Sequence, residues 1–305
     1  MLVVISFVLF AILSLAPGDP LAQFATNPNV PPEVQQSLRQ SLGLDQPWPV
    51  RYVRWLGSTI QGDWGYSFAS RIPVGELVKQ RLPNTLAVVG VAYLVGILLA
   101  VPIGILSAVK RYTLFDHVAT GFAFIGFSLP TFFTGLLLII LFSVFLGWLP
   151  SIYRSTLQVR DLATFGEQVK QSIMPIAVLA LFHGAALVRY TRTSMLDNLP
   201  LDYVRTGRAK GLAEGSVIMR HVVRNSLIPV VTLVALGAPA VFSGAVITEQ
   251  IFRVPGIGDL LINSIVASDT PVVMAITFTF SVLVVLFNLI ADVMYGVLDP
   301  RIRYS

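Results

Sequence analysis

The stretch Asn84–Val109 reads NTLAVVGVAYLVGILLAVPIGILSAV and contains no charged side chain. Four more uncharged runs follow, at Val118–Tyr153, Gln171–Val188, Asn225–Thr248 and Thr270–Ala291. Each reaches or approaches the ~20 residues that a helix needs to cross about 30 Å of hydrocarbon. Only 12% of the 305 residues are charged, about half the share that is usual in soluble domains. The sequence therefore predicts an all-α polytopic membrane protein.

The first apolar segment is short. As a helix, Leu2–Ala16 covers about 22 Å, which is less than the apolar thickness of a bilayer. We expect residues 1–16 to form an incomplete first transmembrane helix, and we expect the natural protein to begin upstream with a basic flank. A cleaved signal peptide is the alternative, although no basic stretch precedes Leu2.

The positive charges predict the orientation. With six spans, the loops after spans two and four and the C-terminal tail lie on one side, and they hold eleven Lys and Arg residues. Short loops rich in Lys and Arg are typical of the cytoplasmic side. We therefore predict an external segment at 17–83 and a transmembrane core at 84–298 with a cytoplasmic loop at 189–224. The tail at 299–305 and the N-terminus are both expected in the cytoplasm.

The predicted external segment is rich in turn-forming residues, at Ala16–Pro20 and Asn27–Pro32. Pro32–Leu42 is predicted to be helical, because proline suits a first turn and Gly43 stands just beyond the end. Six aromatic residues follow: Trp48, Tyr52, Trp55, Trp64, Tyr66 and Phe68. They are interpreted either as an interfacial aromatic belt or as a surface that receives a soluble external partner.

A charged island, Arg189–Arg224, separates the fourth and fifth spans. It contains seven of the 21 Lys and Arg residues: Arg189, Arg192, Arg205, Arg208, Lys210, Arg220 and Arg224. Connections of this length are usually functional or disordered. Within the island, LDYVRTGRAKGL at Leu201–Leu212 has a helical pattern. Asp202 is a good N-cap residue, and Gly211 is expected to stop the helix after Tyr203–Lys210.

This short basic helix has two interpretations. One face is expected to carry Tyr203, Thr206 and Gly207, and another Val204 and Arg208. A short, aromatic helix that ends in glycine fits a groove in a cytoplasmic partner protein. The same basic residues also favour a helix that lies on anionic lipid. Composition alone does not decide between docking and lipid adhesion.

Few polar groups lie within the predicted spans. Pro130 divides the longest uncharged run, and we expect one kinked span there. The candidates for lining a translocation path are Ser128, Thr131, Ser243 and Asn288. The only ionisable candidates are His183 and Asp292. Ion coupling requires ionisable groups inside the membrane, so their scarcity argues against the competing class, a secondary transporter or channel without an ATPase.

The island resembles the cytoplasmic loop motif of ABC importer permeases, in the variant of the dipeptide, oligopeptide, glutathione and nickel group. The matching letters are DYVRTGRAKGL at Asp202–Leu212 and RHVVRNSLIP at Arg220–Pro229. More motifs match in family order along nearly the whole chain: APGDP at 16–20, LGLDQP at 42–47, GDWGYS at 62–67, RLPNTL at 81–86, TEQIF at 248–252, PGIG at 255–258 and LDPRIR at 298–303. One departure is Gly207, where the family usually has alanine. We expect glycine to loosen the helix by up to ~1 kcal/mol.

The resemblance implies a type I ABC importer (MetI-like) permease fold with six transmembrane helices. It implies one of two homologous permease subunits that form the translocation path in a bacterial or archaeal cytoplasmic membrane. It also implies two separate ABC ATPase subunits that bind ATP and Mg²⁺, an external binding protein that delivers substrate, and membrane lipid around the complex. The implied coupling residues are Asp202, Tyr203, Val204, Arg205, Thr206, Gly207, Arg208, Ala209, Lys210 and Gly211.

No catalytic, metal or cofactor site is expected in this chain, and no nucleic-acid partner. The sequence contains no Gly-Lys dipeptide, which excludes the P-loop that cradles nucleotide phosphates. It has no cysteine, and its three histidines are dispersed. Peptides lead as the substrate class, while glutathione, nickel chelates and opines stay open.

Overall fold

The computed structural model describes residues 2–15, 45–157, 159–239 and 246–298, together with Glu33, Gln36 and Gln40. At 291 and 294–298 it describes the backbone alone. Apart from those three isolated positions, the predicted helix at 32–42 lies outside the described residues. So do the path candidate Ser243 and the predicted tail at 299–305.

Helices account for most of the described chain. They are α1 (Leu2–Leu15), α2 (Trp48–Ile60), α3 (Val74–Val109), α4 (Leu114–Ser128), α5 (Thr131–Phe145), α6 (Leu162–Asn198), α7 (Asp202–Ala209), α8 (Glu214–Gly237), α9 (Val246–Phe252), α10 (Ile257–Val266) and α11 (Thr270–Leu298). Short π-helical turns lie within α3, α5 and α8, at Leu86–Gly90, Ile139–Phe145 and Ile218–Val223. The described residues contain no strand beyond an isolated bridge between Tyr66 and Pro73. The predicted all-α class is confirmed.

Four helices, α3, α6, α8 and α11, are long and apolar enough to cross a membrane. The pair α4 and α5 makes a fifth if it is one span, but the two helices meet at an angle of 108°. The break falls at Leu129 and Pro130 because proline lacks an N–H donor and disfavours helix at the residue before it. α1 has 14 residues, fewer than a full crossing needs, so the sixth span stays a prediction.

The described residues within Met1–Pro83 and Gly256–Val285 form one compact unit, and those within Asn84–Pro255 and Leu286–Ser305 form another. In the first unit, the aromatic residues of α2 pack inward. Tyr52 is 6% exposed and its ring stands edge-on to Phe10, with centroids 5.6 Å apart. Trp55 makes a similar contact with Phe278 at 5.5 Å. These rings serve helix–helix contacts, whereas Tyr66 is 63% exposed and is available for a surface role.

A buried carboxylate anchors the loop before α3 to the start of α11. Asp269 accepts hydrogen bonds from the Ser67 hydroxyl and from the backbone N–H groups of Phe68, at 3.0 Å, and Ala69, at 3.2 Å. Asp269 and Ser67 are both almost fully buried. The charge lies just before the first turn of α11, where the helix dipole favours an anion. The GDWGYS motif thus ends in a residue that fixes this loop.

In the second unit, α3 and α6 approach each other closely. A Cβ atom added to Gly96 would lie 3.2 Å from the carbonyl oxygen of Ala180 and 3.5 Å from the nitrogen of Gly184. At Gly104 an added Cβ would lie 2.6 Å from the Cβ of Thr191. Small residues at such interfaces allow backbones to pack directly in a membrane. This contact holds the two longest helices of the unit together.

Candidate coupling site

The predicted docking helix is α7, and its bounds agree closely with the sequence. Asp202 is the first helical residue and Leu201 is the N-cap, so the prediction of Asp202 as the N-cap is wrong by one position. The carboxylate still lies in the first turn, where the helix dipole favours it. The helix ends at Ala209, and Gly211 has a φ of +78°. Glycine adopts this left-handed conformation most easily, so the predicted stop at Gly211 is confirmed.

One face of α7 is buried against three other helices. Val204 and Gly207 are buried and Tyr203 is half-buried. They pack with residues from the ends of α3, α6 and α8: Ala108, Met195, Val217, Val222 and Val223. The sequence grouped Thr206 with Tyr203 and Gly207 and left open which face points inward; in the structure Val204 shares the buried side with Gly207, and Thr206 is exposed. Positions 204 and 207 are three apart and therefore neighbours on a helix.

The opposite face of α7 is exposed and basic. It consists of Arg205, Thr206, Arg208, Ala209 and Lys210. Arg205 lies 3.6 Å from the Asp202 carboxylate, and Arg208 donates to both Glu214 oxygens, at 3.0 and 2.6 Å. The Glu214 carboxylate raises the pKa of the Arg208 guanidinium above its ordinary value. Exposed ion pairs add little stability, so their effect here is to orient the two arginines on the surface.

Hydrogen bonds connect α7 to the end of α6, and the end of α6 to α8. The Tyr203 hydroxyl and the Asn198 side-chain oxygen are 2.7 Å apart. Between α6 and α8, the Ser194 hydroxyl donates to the Ser226 carbonyl at 2.8 Å, and the Ser226 hydroxyl donates to the Ser194 carbonyl at 3.2 Å. α7 is therefore held at the junction where α6 ends and α8 begins.

The rest of the island is not one open loop. Arg189 and Arg192 lie on the last turns of α6, and Arg220 and Arg224 lie on α8. The true connection, residues 199–213, contains only α7 and short turns. Arg192 forms a two-pronged ion pair with Asp116. The sequence analysis counted Arg189, Arg192, Arg220 and Arg224 as part of a cytoplasmic loop, but in the structure all four lie on helices.

The candidate path residues lie at different points of the second unit. Ser128 is the last residue of α4 and Thr131 the first of α5, so both flank the break at Pro130. Ser128 is exposed and Thr131 half-buried. Asn288 is exposed on α11. Their role in translocation stays a prediction.

Two buried or half-buried ionisable groups in the second unit have defined surroundings. Glu249 in α9 is 1% exposed, and its carboxylate accepts a 2.9 Å hydrogen bond from the Thr85 hydroxyl. In the sequence Glu249 appears only as part of the TEQIF motif, directly after the uncharged run that ends at Thr248. His183 stands edge-on to the ring of Tyr93, with centroids 5.6 Å apart. His183 and Tyr93 line a cavity of about 160 Å³ together with Tyr190.

Comparison with known proteins identifies the family. Residues 100–304 match the family described as binding-protein-dependent transport system inner membrane component, and residues 1–89 match the N-terminal region of such membrane components. The chain is 41% identical over 301 residues to the oligopeptide transport system permease protein AppB of Bacillus subtilis, which covers 98% of this chain and 94% of that protein.

Two other relatives agree. The dipeptide transport system permease protein DppB of Escherichia coli K12 is 37% identical over 320 residues, covering 99% of this chain and 94% of DppB. The glutathione transport system permease protein GsiC of Salmonella paratyphi A is 37% identical over 304 residues, covering 100% and 95%. The resemblance seen in the loop motif is confirmed. The chain belongs to the binding-protein-dependent transport system inner membrane components, which are the membrane permease subunits of ABC importers and leave ATP hydrolysis to separate ATPase subunits.

Proposed function

We propose that this permease imports peptides or related small solutes and that residues 202–211 dock the ATPase subunits. It forms half of the translocation path and pairs with a second homologous permease subunit. Two ATPase subunits bind ATP and Mg²⁺, and an external binding protein delivers the substrate. The substrate class is supported by the relatives, which are described as oligopeptide, dipeptide and glutathione permeases.

The observation that carries the docking proposal is the two-sided character of α7. Its basic face is exposed, while Val204 and Gly207 are buried against the ends of α3, α6 and α8. Movement of a partner that is bound to the basic face is therefore transmitted to three membrane helices through a packed apolar contact. Cores packed at crystal-like density transmit displacement rather than absorbing it. This is the mechanical property that coupling of an ATPase to a membrane path requires.

We also propose the topology indicated by the charges, with both termini and α7 in the cytoplasm and residues 17–83 outside. Because the chain has no cysteine, single cysteines report accessibility cleanly. Ser58 and Ala213 are both exposed. A membrane-impermeant maleimide is expected to label Ser58→Cys in intact cells and Ala213→Cys only after permeabilisation. Labelling of Ala213→Cys in intact cells would refute this orientation.

Docking is tested by reversing a charge on the exposed face of α7. The side chain of Arg205 is 71% exposed, so Arg205→Glu leaves the buried contacts of α7 intact. We expect this variant to insert normally, to lose most of the ATPase subunits on co-purification and to lose uptake. Arg111→Glu is the matched control: it makes the same charge change on an exposed residue of another loop that we place in the cytoplasm, and it should retain both.

The alternative, a helix that lies on anionic lipid, predicts a different result. Each basic residue contributes only about 1 kcal/mol to lipid attraction, so reversal at Arg205 would leave the ATPase subunits bound. Retention of the ATPases and of uptake in Arg205→Glu would therefore overturn the docking proposal. The substrate class is tested separately, by calorimetry of the cognate binding protein with di- and oligopeptides, glutathione and nickel chelates.

A further inference from the structure

A partly buried ion pair joins the start of α4 to the end of α6. The Arg192 guanidinium donates from Nε to Asp116 Oδ1 at 2.7 Å and from Nη2 to Oδ2 at 2.9 Å. The Asp116 side chain is 3% exposed and that of Arg192 is 24% exposed. This two-pronged geometry fixes the orientation of both side chains, which a single-point contact would not do.

The same carboxylate also binds the corner between α3 and α4. The Ser107 hydroxyl, fully buried near the end of α3, donates to Oδ1, and the Tyr112 N–H donates to Oδ2 at 2.9 Å. Tyr112 has a φ of +64°, a conformation that is uncommon for residues other than glycine. One carboxylate thus holds α3, the corner, α4 and α6 in a single arrangement.

This carboxylate site lies next to the apolar contacts of α7. Ser107 adjoins Ala108, and Arg192 lies one turn before Met195 on α6. Ala108 and Met195 both belong to the cluster that buries Val204 of α7. The cluster includes no residue of α4. Among the described contacts, Asp116 is therefore a direct polar link from this region to α4, which leads to the break at Pro130.

We propose that Asp116 and Arg192 are positioning residues for coupling: their ion pair carries displacement of α7 from α6 to α4. This inference rests on the proposed docking role of α7. Replacing a buried ion pair with apolar residues of similar volume is often neutral or stabilising, so stability alone does not account for the pair. A rigid, directional link between two helices does, because it makes α4 follow α6.

The test uses the complete transporter, reconstituted in liposomes with its natural ATPase subunits and binding protein. Arg192→Gln and Asp116→Asn each break the two-pronged contact. We expect both to retain the ATPase subunits and basal ATP hydrolysis. Substrate uptake and the stimulation of ATP hydrolysis by loaded binding protein should fall about tenfold, within the range of ordinary allosteric coupling.

Arg189→Gln is the matched control. Arg189 lies one turn earlier on the same helix, and its guanidinium lies 5.1 Å from the ring centre of Phe124 and 5.6 Å from that of Phe127. This variant loses the same charge and the cation–π contacts with α4, but it keeps the two-pronged contact with Asp116, so uptake should stay within about twofold of the native value. If Arg192→Gln remains as active as Arg189→Gln, the proposal is wrong.

A single variant leaves one charge without its partner, which can prevent folding. The double variant Asp116→Asn/Arg192→Gln leaves no unpaired buried charge, and neutral amides replace the two-pronged ion pair. We expect it to insert normally and to stay uncoupled, while Arg192→Lys recovers only part of the coupling because it lacks the two-pronged contact. Full coupling in the double variant would overturn the positioning role.

A distance measurement separates positioning from general stability. Spin labels at Leu114→Cys and Lys210→Cys, both at exposed positions, report on α4 and α7. Adding Arg192→Gln should broaden their distance distribution, and an unchanged distribution would refute the rigid link. Failure of the docking proposal has a different signature: the ATPase subunits would then remain bound to Arg205→Glu, whatever the result at Arg192.

Discussion

Gly207→Ala is expected to stabilise α7 without disturbing its contacts. Gly207 is buried in the middle of the helix. An added Cβ would lie 3.5 and 3.6 Å from the two methyl groups of Val217 and 3.9 Å from Cδ2 of His221. These are ordinary van der Waals distances, so the methyl group fits the space that is already there.

The expected gain follows from two terms. Alanine in place of glycine inside a helix contributes about 0.5–1 kcal/mol, because the unfolded glycine has more conformational freedom to lose. Burying a methyl group adds up to ~0.8 kcal/mol, less here because its neighbours lie on one side. A net gain of about 1 kcal/mol lowers the opening equilibrium of α7 about fivefold.

Hydrogen–deuterium exchange of the purified transporter measures this directly. Peptides that cover residues 202–209 should exchange about fivefold more slowly in Gly207→Ala than in the native protein. Uptake should be retained, because the basic face of α7 is unchanged. Gly57→Ala is the control: its added Cβ meets nothing within 4 Å and it lies in α2, so exchange in α7 should not change. Faster exchange in α7 of Gly207→Ala would show that the contact with Val217 is too tight and would refute this reasoning.

Three more outcomes are expected. Gly211→Ala should destabilise the end of α7 by about 1 kcal/mol, because φ is +78° and alanine avoids that region, whereas Gly211→Asn should cost less; exchange of residues 208–212 measures both. Asp269→Ala removes the acceptor for three donors and should lower the free energy of unfolding by about 2–4 kcal/mol. An unchanged melting temperature would contradict the anchoring role. Gly104→Ala places a Cβ 2.6 Å from Thr191 and should cost at least about 2 kcal/mol by overpacking α3 against α6. Gly121→Ala, which meets nothing within 4 Å, should melt as the native protein does.

The sequence by itself determined the class of the protein, the positions of the long helices and the end of α7. Each of these is a local property. An uncharged apolar run must span the bilayer or be buried, and a glycine such as Gly211 stops a helix because it alone adopts positive φ easily. The order of motifs along the chain was enough to indicate the family, since it requires no knowledge of which residues touch.

Only the tertiary structure decided which residues contact each other. Arg192 belongs by sequence to a basic island, yet it binds Asp116, 76 residues earlier. Val204 faces inward and Thr206 outward, a choice that helical periodicity left open because α7 is only two turns long. Glu249 is buried against Thr85, which its place directly after an uncharged run did not reveal. Such contacts depend on how helices far apart in sequence pack against each other, and a single helix's pattern of apolar residues does not contain that information.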